Sequence, residues 1–195
     1  MGRDGGPRPF VSPRALASAL RAGHQVSDEH FDRVAAGGAR LPRHLVTSTP
    51  LPVVYSAVSL LTAGGALRVL DVGAGVGKLC IVGALTAHGH FTGVEHHFAL
   101  VRSARSAALR FGARRATFIH DNVANIELQG FDAIYVFDGT PESPDSCTSV
   151  VWRRLGATRS GTRVVTYGGR VNPPGCRLHT RLPAEDGALA LFIKE

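Results

Sequence analysis

Arg68-Val-Leu-Asp71-Val-Gly73-Ala-Gly75-Val-Gly77-Lys78 runs an apolar strand into a glycine-rich turn with a helix directly behind it. Glycine stands at 73, 75 and 77, behind an aspartate at 71. Glycine tolerates positive φ and lets main chain approach a ligand closely. The helix expected from Lys78 to Ala87 aims its free N–H groups back at that turn. The segment therefore reads as a main-chain cradle for a nucleotide-like ligand.

Spacing sorts the ligands that such a turn can hold. A phosphate-binding P-loop requires G-x-x-x-x-G-K and then Ser or Thr. Five residues before Gly77 stands Val72, and Leu79 follows Lys78, so the Gly77-Lys78 pair does not end a P-loop. A dinucleotide fingerprint requires glycine or alanine as its third small residue. Gly73 and Gly75 fit it, but the third position falls on Lys78. Further on, Phe91-Thr-Gly-Val-Glu95 is a short strand ending in an acid, 24 residues after Asp71. A carboxylate at the end of the second strand suits a ribose, because it accepts hydrogen bonds from both hydroxyls. A third strand, Ala116 to His120, ends at Asp121-Asn122, and a fourth, Ala133 to Phe137, ends at Asp138.

The pattern D-x-G-x-G-x-G over Asp71 to Gly77 resembles motif I of the class I, seven-strand S-adenosylmethionine (SAM)-dependent methyltransferases. With the acids after the later strands, the resemblance spans about residues 45 to 195. It implies that S-adenosyl-L-methionine is the cofactor and that Asp71, Gly73, Gly75, Gly77 and Glu95 hold it. It further implies that Asp121 or Asn122 contacts the adenine. Asp138 would then position or deprotonate the methyl acceptor, with Glu142 as a second candidate. The histidines at 88, 90, 96 and 97 lack a supporting set of cysteines or carboxylates, so no metal is expected.

The rest of the chain supplies the frame. Helices are expected from Pro13 to Leu20, after a capping Ser27, and from Pro50 to Thr62 behind Thr49. Helix two should span Phe98 to Phe111, a later one Thr148 to Leu155, and a fifth strand Arg163 to Tyr167. Residues 177–182 and 188–194 read as a hairpin. Alternating strands and helices give an α/β fold: a mostly parallel, seven-strand Rossmann-like sheet, helices on both faces, and a C-terminal antiparallel hairpin. In such a sheet ligands bind beyond the carboxyl ends of the strands, at the point where strand order reverses. Asp71, Glu95, Asp121 and Asp138 all lie at such ends. Residues 1–45, rich in glycine, proline and arginine near their start, are expected to be a mobile extension able to close as a lid. The domain proper is expected over 46–195.

Composition narrows the function. No run of 18 apolar residues exists, so no membrane span is expected. The first residues lack the apolar stretch of a secretory signal, and the three cysteines have no metal spacing, which points to a reduced, cytoplasmic protein. The net charge is +7, yet 20 of the 22 basic residues are arginine. The densest run, Arg102, Arg105, Arg110, Arg114 and Arg115, reads as a solvated helix face without aromatic residues to stack bases. Nucleic acid is therefore disfavoured as a partner.

The acceptor is read from the residues after the fourth strand. Asp71 to Lys78, together with Gly93-Val-Glu95, is similar to the non-SET lysine methyltransferases of this fold. That likeness makes a protein amine the leading acceptor and a small molecule the alternative. It stops at Asp138-Gly-Thr-Pro-Glu142, which also lacks the Asp/Asn-Pro-Pro-Tyr/Phe of enzymes that methylate base amines. Two rivals stay open. One is a nicotinamide-dependent oxidoreductase, although Tyr135 is followed four residues on by Gly139 and not by the lysine of the short-chain type. The other is a SAM-binding module without catalysis.

Overall fold

The computed structural model describes residues 12–37, 49–137, 143–144, 146–168, 172–184 and 187–195. Strands β1 (Arg68–Val72), β2 (His90–Glu95), β3 (Ala116–His120), β4 (Ala133–Phe137), β5 (Arg163–Tyr167), β6 (Cys176–Ala184) and β7 (Gly187–Lys194) form one sheet in the order β3-β2-β1-β4-β5-β7-β6. All neighbours are parallel except β7, which runs antiparallel between β5 and β6. Strand order reverses between β1 and β4. This is the expected mostly parallel sheet with its C-terminal hairpin.

Six helices accompany it: α1 (Pro13–Arg21), α2 (Asp28–Ala36), α3 (Leu51–Thr62), α4 (Lys78–Thr86), α5 (Phe98–Phe111) and α6 (Cys147–Arg154). Residues alternate across β1, so Val69 joins one apolar cluster and Leu70 and Val72 the other. The first cluster lies under α1 to α5, and the second under α6 and the short turns that follow β3. Every residue of α4 except Thr86 is buried, as suits a helix packed on several sides.

Two expectations change. Residues 12–37 do not form a mobile extension. Ser12 and Ser27 each cap a helix, and Leu16, Ala17, Leu20, Phe31, Val34 and Ala35 join the main core. Phe31 stacks on Phe111 of α5, with ring centroids 5.0 Å apart. The apolar spacing outweighs a composition that suggests disorder. Nor does Thr49 cap α3. Its hydroxyl lies 2.9 Å from the Tyr135 hydroxyl, and the Leu51 N–H donates to both carboxylate oxygens of Asp28, at 3.1 and 3.2 Å. The acceptor for the helix end comes from α2. No described helix is long and apolar enough to cross a membrane.

Candidate functional site

The glycine turn leaves β1 beside the carboxyl end of β2. The Gly73 and Ala74 N–H groups both donate to the Val94 carbonyl, at 2.9 and 3.0 Å. The Gly75 N–H donates to Glu95 Oε2 at 3.1 Å, and the His97 N–H to Glu95 Oε1 at 2.9 Å. Glu95 is buried, so a charged carboxylate there needs these donors. Each oxygen keeps lone-pair capacity beyond the bond described.

The three glycines are not equivalent. All have positive φ, at 70°, 55° and 83° for Gly73, Gly75 and Gly77. A Cβ on Gly73 or Gly75 would meet nothing within 4 Å, whereas one on Gly77 would lie 2.5 Å from the Phe118 ring. Gly77 is glycine because the turn packs on β3. Gly73 and Gly75 line open space.

Gly73, Glu95, Asp121 and Asn122 meet around one cavity of about 140 Å³. Val94, His96, Val123 and Cys147 complete its wall. Asp121 Oδ1 accepts from Asn125 Nδ2 and the Asn122 N–H, both at 2.7 Å. These bonds, the Asn125 amide foremost, hold the Asp121 carboxyl below the usual carboxylate range. Asn122 Oδ1 accepts from the Ala124 N–H and caps the turn at 123–125. Asp138 and Glu142 lie outside the described residues.

Asp71 does not line that cavity. It is 4% exposed and faces α4, where the Cys80 thiol donates to its Oδ2 at 3.6 Å. Burial raises its pKa to about 7; the Cys80 bond works against the rise and the charge of Glu95 adds to it. Asp71 is paired with Tyr135 across the β1–β4 ladder, and burial pushes that phenol up as well. Cys80 is thus a buried core residue with a polar partner. Lys78, the first residue of α4, turns away from the cavity. Its Nζ lies 2.6 Å from Asp28 Oδ1 and 3.1 Å from Asp32 Oδ1, and 5.7 Å from the centre of the Phe31 ring. These pairs bind α2 to the start of the helix behind the glycine turn.

The sequence points to His96 only as a candidate metal ligand and does not single out Cys147; both line the cavity. His96 lies next to Glu95, with Nδ1 3.2 Å from Oε1, and its position after the strand was a usable signal. Cys147 reaches the cavity from the first turn of α6, a placement only the tertiary path defines. Ligand atoms of Glu95, His96 and His97 lie within 4.8 Å of one another, and the Glu95 oxygens in this cluster also accept from the Gly75 and His97 N–H groups.

The sheet order, the glycine turn at the reversal point and the acid closing β2 define a class I methyltransferase. Residues 64–166 match the model of a family described as a methyltransferase domain, more than half of the chain, and the chain belongs to that family. An RNA methyltransferase from Salinibacter ruber in complex with S-adenosyl-L-homocysteine has a TM-score of 0.60 at 23% identity, over 76% of this chain and 95% of that one. Magnesium protoporphyrin IX methyltransferase from Synechocystis with bound SAM gives 0.59 at 16%, over 92% and 97%. An O-methyltransferase from Bacillus cereus in complex with S-adenosylhomocysteine (SAH) gives 0.63 at 16%, over 93% and 97%. No curated protein sequence matches the chain. The protein is a SAM-dependent methyltransferase, with S-adenosylmethionine as its cofactor. Its structural neighbours act on different acceptors, and nothing in these likenesses singles out a protein lysine.

Proposed function

We propose that the cleft at the carboxyl ends of β1, β2 and β3 holds S-adenosylmethionine and that the chain transfers its methyl group to an amine, with a protein lysine as the leading acceptor. The observation that carries the cofactor assignment is the meeting of Gly73, Glu95, Asp121 and Asn122 around one cavity. Main chain at Gly73 and Gly75 borders open space where side chains would intrude. The spare lone pairs of Glu95 suit two ribose hydroxyls. Asp121 Oδ2 and the Asn122 amide N–H₂ are left to face an adenine edge, since the other oxygens serve local turns. When bound, the cofactor supplies an electrophilic methyl on a sulfonium sulfur.

What the chain must add is placement of the acceptor and removal of its proton. Alignment and exclusion of water would provide most of the acceleration. Asp138 is the residue that follows Phe137 in sequence, and Phe137 is the last residue of β4, the strand paired with β1. Asp138 is assigned to accept the proton of the amine. The lysine preference rests on the likeness of Asp71 to Lys78 and Gly93 to Glu95 to the non-SET lysine enzymes.

Radiolabelled SAM incubated with the protein and whole lysate tests this reading. Label retained in protein, and released on acid hydrolysis as methyl-lysine, is the expected result. Label confined to the small-molecule fraction would move the acceptor to that class. Asp138→Ala is expected to lower turnover by about a hundredfold or more while leaving SAH affinity within a few fold. Unchanged turnover would remove Asp138 from the mechanism.

A further inference from the structure

A second concavity lies away from the cleft. Helices α1 and α5 and the first half of β3 border an open groove of about 1300 Å³ that shares no lining residue with the cofactor cavity. Arg14, Arg21, Arg105, Arg110 and Arg114 are five of its fourteen lining residues, and none of the fourteen is acidic. The chain has 20 arginines in 195 residues, so general arginine richness does not account for this concentration. Folding brings Arg14 and Arg21, from a different helix, beside the run on and after α5.

The arginines divide by what they already do. Arg105 donates to the Phe118 carbonyl at 3.1 and 2.7 Å, and Arg110 donates to the Val34 and Ala35 carbonyls at the end of α2. Arg14 and Arg21 stand seven residues apart on α1, both exposed, and so share a face. Among the described residues the guanidinium groups of Arg14, Arg21 and Arg114 have no hydrogen-bond or ion-pair partner. Between these rims the groove is backed by the core residues Ala17, Ala108, Phe111 and Phe118, each at most 8% exposed. Leu109 stands at the edge, 83% exposed.

We infer that this groove docks an acidic, amphipathic segment of a partner protein. Carboxylates match the planar fork of arginine, and an aliphatic side chain matches the exposed Leu109. A nucleic-acid backbone would satisfy the guanidinium groups but leave Leu109, the exposed apolar side chain at the edge, in water. Phe111 and Phe118 are 2% and 6% exposed, so neither offers a face for base stacking. The net charge of +7 assists encounter with an acidic partner. This inference stands apart from the assignment of the methyl acceptor.

Fluorescence anisotropy of the full chain tests it with three labelled probes. The first is an amphipathic helical peptide of glutamate and leucine, the second the same peptide with glutamine in place of leucine, and the third an oligouridylate of equal charge. The Glu/Leu peptide is expected to bind with a Kd of about micromolar order, and at least about tenfold more tightly than either other probe. Arg14→Glu with Arg21→Glu should weaken it about tenfold or more, and the paired Arg→Gln changes should act in the same direction. SAH affinity and the thermal midpoint should stay unchanged, which shows that the variants fold. Failure of the first peptide to bind, an undiminished affinity in the reversed variant, or binding of the oligouridylate as tight as that of the peptide would each overturn the inference.

Discussion

Asp71 places a carboxyl where a carboxylate is costly. It lies at the end of β1, 4% exposed, with a thiol as its nearest donor, and its pKa is about 7. An acid raised in the fold binds more protons folded than unfolded between the two pKa values, so stability falls as pH rises through that window. Here the window runs from about 4, the unfolded value, to about 7. Below it the group is neutral in both states and contributes no penalty; above it the penalty is complete, on the order of 4 kcal/mol. Thermal unfolding of the cofactor-free protein at a series of pH values should show this loss, and Asp71→Asn should flatten it. An identical pH profile in the variant would contradict the assignment. Glu95 was legible in the sequence because it closes β2, whereas Asp71, one residue before the end of β1, faces α4 and not the cavity. The sequence hid the role of Lys78, whose carboxylate partners lie about 50 residues earlier on another helix, a pairing that no local spacing announces.

At the scale of elements, the glycine turn separates packing from binding. A Cβ at Gly77 would press on Phe118 at 2.5 Å and on Ala104 at 3.0 Å, whereas one at Gly73 would enter open space. Gly77→Ala should therefore cost roughly 2–4 kcal/mol of stability, combining overpacking with the strain of positive φ. Gly73→Ala should cost only about 1–2 kcal/mol yet reduce SAH affinity by more than about tenfold. Chemical denaturation read beside calorimetry distinguishes the two, and equal effects in both assays would contradict this division. The bounds of β1, α5, β3, β4 and β5 were readable because each is a clean periodic run between turn residues. The cap of α3 was not, since Asp28 reaches it from α2 and leaves Thr49 to bond Tyr135. The spacing of the arginines after Phe98 reads as a solvated face, but Arg105, Arg110 and Arg115 donate to carbonyls of β3, α2 and the end of α4. A charged side chain with a long stem looks the same in sequence whichever way it folds back.

Across the whole molecule, the sheet collects the acids that lie far apart in the chain, and the N-terminal helices complete the core beneath them. Composition alone separated residues 1–45 from the domain. The spacing of Leu16, Ala17 and Leu20 and the pair Phe31 and Val34 carried the opposite message, and these side chains pack against α4 and α5. A chain beginning at residue 46 would bare that surface and remove both carboxylates from Lys78. It should be poorly soluble or unfold at least about 10 °C lower, whereas a dispensable extension would leave the midpoint unchanged. The central claim is that the cavity closed by Glu95 is the cofactor site. Calorimetric titration with SAH, with NADH beside it, tests this on the native chain and on Glu95→Ala. The account predicts micromolar binding of SAH alone to the native chain, and a loss of about tenfold to a hundredfold in the variant while it remains folded. Equal SAH affinity in the two proteins, or binding of NADH in place of SAH, would contradict it.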